Sequence, residues 1–282
     1  MTISVRQHRL WKDGSRVEFI RSPYVGGPFA AGRPRILVMH FTYGAGGRSS
    51  ANWFADPNRP NGSSAQIVID RDGSLIQCVE FGTVAWHAGK SRLRDIDGLN
   101  AHSIGIELAN WGYLQRTGSG WASYTGVKIP DPVIATHRNG NPDGVPSPCG
   151  WEPYPQAQLD AAVDVARVLV REYGIKEIVG HDDISKGRKW DPGPAFDMAR
   201  FRAQVFGEDG EDGDTRMRVM PADGLNLRTG PGVHFAAIEK LPAGTIVDPI
   251  GADGNWVEVS VLTAAGAPRA TGWVHGEYLA DA

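Results

Sequence analysis

The chain has 282 residues, which at roughly 150 residues per domain suggests two domains. Hydrophobic residues make up 41%, with 9 Trp, 9 Phe and 7 Tyr, so a core forms and wholesale disorder is excluded; 36 Gly and 19 Pro argue against a helical bundle or coiled coil. The net charge of −3 excludes a generic polyanion binder, and no apolar run is long enough for a transmembrane helix.

Arg35–His40 is a short apolar run ending in histidine and predicts a buried strand. Ala65–Asp70 and Leu75–Glu80 flank Arg71-Asp72-Gly73-Ser74, whose Asp-Gly pair predicts a hairpin. Ser103–Leu108 (SIGIEL) predicts another strand. Between Asn110 and Tyr154 the chain is rich in Gly, Pro, Ser and Asn; with Trp111, Trp121, Tyr124 and Trp151 it is expected to form a long ordered surface loop. Ala157–Tyr173 carries apolar residues at the 3.6-residue period, with Gly174 as its C-cap, and predicts a helix. Glu177–His181 predicts a strand, again ending in histidine.

Residues 207–214 hold five acids and three glycines, the composition of a self-repelling linker. The expected organisation is a first domain over 1–206, a linker over 207–214 and a second domain over 215–282. From Gly207 onward 5 Lys/Arg face 12 Asp/Glu, a charge of −7, which leaves +4 on the first 206 residues. Leu225–Arg228, Thr245–Ile250, Trp256–Val261 and Thr271–Val274 predict short strands between Gly-Pro and Asp-Gly turns, the pattern of a small all-β barrel. Cys78 and Cys149 form no metal-binding spacing and no disulfide framework. No apolar segment opens the chain, so a cytoplasmic location is expected, with cell wall reached after lysis or by non-classical export.

Gly89-Lys90-Ser91 has the ending of a phosphate-binding loop, but the glycine required five residues earlier is Val84. H-E-x-x-H and G-x-S-x-G are absent. The useful constellation is distributed: His40 and His181 at strand ends, and Asp191 in Lys189-Trp190-Asp191-Pro192-Gly193-Pro194. Two imidazoles and a carboxylate suit Zn²⁺ with a position left open for water, whose pKa zinc lowers to about 7. The same residues, singly, also read as hydrogen-bonded structural histidines and a loop acid. Glu107 lies within the apolar strand, on the side opposite Ile104, Ile106 and Leu108; it reads equally as a buried general base or as a solvated carboxylate. Lys189 reads as a positive charge for an oxyanion or as a surface lysine beside Arg188.

Five blocks in order carry a resemblance: the strand ending in His40; the hairpin 66–73; Ala85-Trp86-His87-Ala88-Gly89; Asn100-Ala101-His102-Ser103-Ile104-Gly105-Ile106-Glu107-Leu108; and Gly180-His181-Asp182-Asp183-Ile184 with Gly187-Arg188-Lys189-Trp190-Asp191-Pro192-Gly193-Pro194. Together they resemble the zinc-dependent N-acetylmuramoyl-L-alanine amidase family, which includes peptidoglycan recognition proteins. The resemblance implies an α/β fold with a mixed central sheet flanked by helices. It implies His40, His181 and Asp191 as zinc ligands, Glu107 and Lys189 as catalytic residues, and Trp86, His87 and Asn100 as groove-lining, substrate-binding residues. The implied partner is peptidoglycan or muropeptides, with no nucleic acid and no membrane insertion. Leu225-Asn226-Leu227-Arg228-Thr229-Gly230-Pro231-Gly232, with the Trp256 and Trp273 segments, resembles the bacterial SH3-like domain, which implies a wall- or peptide-binding tail. The expected activity is zinc-dependent hydrolysis of the amide between N-acetylmuramic acid and L-alanine. The alternatives are a non-catalytic peptidoglycan recognition protein, which predicts loss of a ligand or of Glu107, and a non-haem iron site of two histidines and a carboxylate.

Overall fold

Runs of Ile, Val and Leu bounded by turns build the sheet that carries the candidate site. The computed structural model describes residues 2–60, 62–118, 120–206, 216–263 and 268–282. The six strands are β1 (Glu18–Phe19), β2 (Ile36–Phe41), β3 (Ile67–Ile69), β4 (Leu75–Gln77), β5 (Ser103–Leu108) and β6 (Glu177–Gly180), in the spatial order β6-β2-β5-β3-β4-β1. β6, β2, β5 and β3 run parallel, β4 returns antiparallel to β3, and β1 joins β4 in parallel. The sheet is mixed, as expected. Its inner strands are buried along nearly their whole length because both faces are covered.

Helix α1 (Gly47–Ala55) packs Ala51 and Phe54 onto Val68, Ile76 and Cys78. Val68 pairs with Glu107, so α1 covers the face from which Glu107 projects. On that same face Ile36, Val38, Ala88, Leu99, Val179 and Ile184 form a cluster beneath the strand ends. Helix α2 (Gln156–Tyr173) buries Ala162, Val165, Ala166 and Leu169 and ends at Gly174, whose left-handed φ of 63° suits glycine. Gln158 on α2 donates to the carbonyls of Ile69 and Ala109, tying the helix to the ends of β3 and β5. Among the described residues no helix is long and apolar enough to cross a membrane. Both cysteines are free and buried.

The chain falls into two units that do not follow sequence order. One comprises Met1–Gly112, Tyr154–Pro192 and Gln204–Phe206; the other comprises Tyr113–Pro153, Gly193–Ala203 and Gly207–Ala282. The expected linker 207–214 lies outside the described residues.

In the second unit, the tail strands run at Met217–Val219, Leu225–Arg228, Ala237–Leu241, Ile246–Asp253, Trp256–Leu262, Pro268–His275 and Leu279–Asp281. They wrap around Val219, Leu225, Leu227, Leu241, Val247, Val259, Val261, Ala270, Val274 and Leu279, so all four expected strands occur in an all-β module with one core. The expectation of a long loop between Asn110 and Tyr154 is corrected. Tyr113–Thr117, Gly120–Ala122, Val133–Ala135 and Cys149–Trp151 are strands paired antiparallel. Each has only three to five residues and is interrupted by turn formers, so no alternating pattern stands out in the sequence. Ile134 of this segment pairs in parallel with Ala270 of the tail. A chain ending at residue 206 therefore loses one of the two partner strands of Val133–Ala135. Limited proteolysis is expected to cut such a chain within 113–153 faster than the full chain; equal protection would show that the pairing contributes nothing.

Candidate active site

Strand register assembles the site. In the parallel pairing of β2 with β5, Glu107 stands opposite His40. In the pairing of β6 with β2, Gly180 stands opposite Met39, so His181 leaves β6 level with His40. His181 is the first residue of the short helix α3 (His181–Ile184), and Asp183 accepts from the Gly180 amide at 2.8 Å. A Cβ at Gly180 would collide with the Asp182 side chain and lie 2.8 Å from Pro192 Cδ; glycine lets the 191–192 segment close against the strand end. The Asp182 amide donates to the Asp191 carbonyl at 2.9 Å and holds that segment in place. The site thus lies at the carboxyl ends of parallel strands, the usual ligand position in α/β sheets.

His40 Nδ1, His181 Nδ1 and Asp191 Oδ2 converge. The separations are 3.0 Å between the two nitrogens, 2.8 Å from His40 to Asp191 and 2.9 Å from His181 to Asp191. All three side chains are buried. His181 Nε2 lies 3.1 Å from the Ala88 carbonyl. A carbonyl has no proton to give, so Nε2 donates, which leaves Nδ1 as the ring nitrogen able to ligate a metal. Burial works to raise the Asp191 carboxyl, yet His181 and His40 beside it hold it below the usual carboxylate range. Burial and the neighbouring His181 push His40 down to about 4, so His40 is a neutral imidazole at pH 7. A carboxylate oxygen and two imidazole nitrogens this close need a proton or a metal cation among them. The donor set suits zinc, and its edges are near the ~3.3 Å of a tetrahedral site with bonds of about 2.0–2.1 Å.

Glu107 is 9% exposed, which selects the buried reading. Burial, then the charge of Asp191, raises its carboxyl to about 8, and Lys189 works in the opposite direction. Among the described residues Glu107 Oε2 has no hydrogen-bond partner. Lys189 is half-buried, and its charge bears on both Glu107 and His40.

Trp86, His87 and Asn100 part company in the structure. Trp86 is 43% exposed, with its ring 6.0 Å from that of Tyr24, and presents an open aromatic surface. His87 is 7% exposed and both ring nitrogens meet protein atoms: Nδ1 lies 3.0 Å from His40 Nε2, and Nε2 lies 3.3 Å from the Ser103 carbonyl. Asn100 Oδ1 accepts from the amides of His87 and Ala88 at 3.0 and 2.7 Å. Asn100 thus holds the backbone of His87 and Ala88, and the buried His87 ring departs from the groove-lining position expected of it. Two contributors were not anticipated. The Ala88 carbonyl accepts from His181 and from Arg188, whose guanidinium also reaches the Lys90 carbonyl and Ser185 Oγ. Gly105 makes room for His87: a Cβ there would lie 2.6 Å from His87 Cγ. A lone glycine inside an Ile-rich strand was the available signal, because such a glycine marks a close approach.

Residues 30–194, more than half of the chain, match the model of N-acetylmuramoyl-L-alanine amidase. The chain belongs to the N-acetylmuramoyl-L-alanine amidase family. Residues 223–280 match the bacterial SH3 domain. The 1,6-anhydro-N-acetylmuramyl-L-alanine amidase AmpD of Escherichia coli is 34% identical over 145 residues, covering 51% of this chain and 60% of AmpD. The N-acetylmuramoyl-L-alanine amidase AmiD of E. coli is 29% identical over 209 residues, covering 70% of this chain and 60% of AmiD. The chain thus spans about 60% of the length of these curated relatives. The solved complex of E. coli AmiD with anhydro-N-acetylmuramic acid-L-Ala-D-gamma-Glu-L-Lys aligns with a TM-score of 0.46 at 26% identity, covering 72% of this chain and 65% of that one.

The Glu107 environment predicts a pH dependence of the metal-free protein. Its folded value, about 8, lies above the ordinary 4.5, so the folded state binds this proton more tightly than the unfolded chain. The resulting stability is full below pH about 4.5 and is lost as the pH rises through about 8. In chelator-treated protein, Glu107→Gln is expected to remove this part of the fall in thermal midpoint between pH 5 and pH 9. An unchanged slope would show that Glu107 titrates normally.

Proposed function

We propose that the chain hydrolyses the amide bond between N-acetylmuramic acid and L-alanine in peptidoglycan or its fragments, with zinc held by His40, His181 and Asp191. The observation that carries this reading is the convergence of two imidazole nitrogens and a carboxylate oxygen at 2.8–3.0 Å, with Glu107 in register beside them. When bound, zinc supplies a Lewis acid and makes a water acidic enough to ionise near neutral pH.

The chain's own groups supply the remaining chemistry. Glu107 is positioned beside His40 with Oε2 unpartnered, so it can orient the attacking water and take its proton. Its raised affinity for a proton suits a base that holds that proton until the leaving amine of L-alanine takes it. Lys189 brings a positive charge to the oxygen that becomes negative as the carbonyl turns tetrahedral. The low-dielectric surroundings of buried His40, His181 and Asp191 strengthen each of these interactions. Trp86, exposed and next in sequence to His87, is proposed to offer a flat face to the muramyl group. The SH3-like tail is proposed to bind wall material and so raise the local concentration of substrate bonds.

Chelation of metal is expected to abolish release of L-Ala-containing peptide from muropeptides, followed by mass spectrometry, and added Zn²⁺ is expected to restore it. Full turnover by verified metal-free protein would refute the reading. Glu107→Ala is expected to keep zinc while kcat falls by about 10²-fold or more. A near-native kcat would remove Glu107 from the proton-transfer role.

A further inference from the structure

The ring of His87 connects a backbone carbonyl to His40. Its Nε2 lies 3.3 Å from both the Ser103 carbonyl and Ser103 Oγ. The Ser103 hydroxyl gives its own proton to the Leu99 carbonyl at 2.6 Å, so both atoms facing His87 Nε2 are acceptors. His87 Nε2 therefore carries the proton and His87 Nδ1 carries a lone pair. That lone pair lies 3.0 Å from His40 Nε2, with the rings edge-to-face at 81°. His40 Nε2 must then be the donor, which leaves His40 Nδ1 bare toward His181 and Asp191. Every step in this chain is forced by an atom that has no proton to give.

We propose that His87 is a positioning residue that fixes the tautomer of His40, so that His40 Nδ1 presents a lone pair to a bound metal. The residue after it does the same for the second histidine, since the Ala88 carbonyl fixes His181 through Nε2. Asn100 Oδ1 grips the amides of both residues, and Gly105 leaves the space that the His87 ring occupies. A metal-ligating histidine is commonly held in this way through its other ring nitrogen, and loss of the partner costs about 10–100-fold in metal affinity.

The proposal rests on His40, His181 and Asp191 holding a metal, and its test separates the two ideas. Zn²⁺ affinity of the full chain is measured by competition with a chromophoric chelator for wild type, His87→Phe and His87→Asn. Circular dichroism and the thermal midpoint of the metal-free forms check folding. Phe keeps the ring but has no acceptor; Asn loses the ring but places an acceptor oxygen near the Nδ1 position. Tautomer control predicts that His87→Phe weakens zinc about 10–100-fold and that His87→Asn stays within about threefold of wild type, taken as a margin well below that loss. A packing role predicts the reverse order. The proposal is overturned, with the metal site intact, if folded His87→Phe binds zinc as wild type does. It is overturned equally if His87→Asn loses as much affinity as His87→Phe. If His87→Phe does not fold, the Asn variant decides alone, retention supporting the proposal and loss overturning it. A wild-type chain that binds no zinc overturns the metal site and this proposal together.

Discussion

Three potential ligand atoms lie within 3.0 Å of one another in a buried pocket: His40 Nδ1, His181 Nδ1 and Asp191 Oδ2. Lone pairs crowded together away from water repel, and burial removes the screening that would otherwise soften that repulsion. A fold can hold them there only if the surrounding structure fixes each side chain and a proton or a cation compensates them. Much of the first unit serves that constraint. Parallel register sets His40, His181 and Glu107 side by side, and the cluster of Ile36, Val38, Ala88, Leu99, Val179 and Ile184 fills the space below them.

The same pocket separates the tasks of its acids. Asp191 and Glu107 both lie in low-dielectric surroundings, yet their proton affinities move in opposite directions. Asp191 contacts both histidines and is held below the usual carboxylate range, which suits the metal-ligand role proposed for it. Glu107 gains no such partner at Oε2, and burial with the charge of Asp191 raises it to about 8, as a proton acceptor near neutral pH requires. Two carboxylates on neighbouring elements thus acquire different chemistry from their contacts alone.

Family membership could be read from motif blocks because those blocks hold strand-end residues and tight turns, which allow few residue types. The central strands, the 71–74 hairpin, helix α2 and the tail strands followed from apolar period and turn chemistry. The strands of 113–153 did not, since each is short and their pairing partners lie 12 or more residues away in several cases, including the tail residue Ala270. His87 and Asn100 lay in segments that suggested contact with substrate. Whether a histidine on such a segment faces outward or inward depends on the strand beneath it, and only Gly105 hinted at the answer.

By itself the sequence determined the set of chemical groups and the local elements that present them: two histidines at the ends of apolar strands, an acid on a Pro-Gly loop, a glutamate within a strand, and a β-rich tail. Those features arise from neighbours in the chain, and periodicity and turn residues encode them directly. The tertiary structure decided which groups touch. It buried Glu107, turned His87 toward His40, and gave the Ala88 carbonyl to His181. Such contacts join residues 47 to 151 positions apart, and their geometry is set by strand register and packing, which no local pattern specifies.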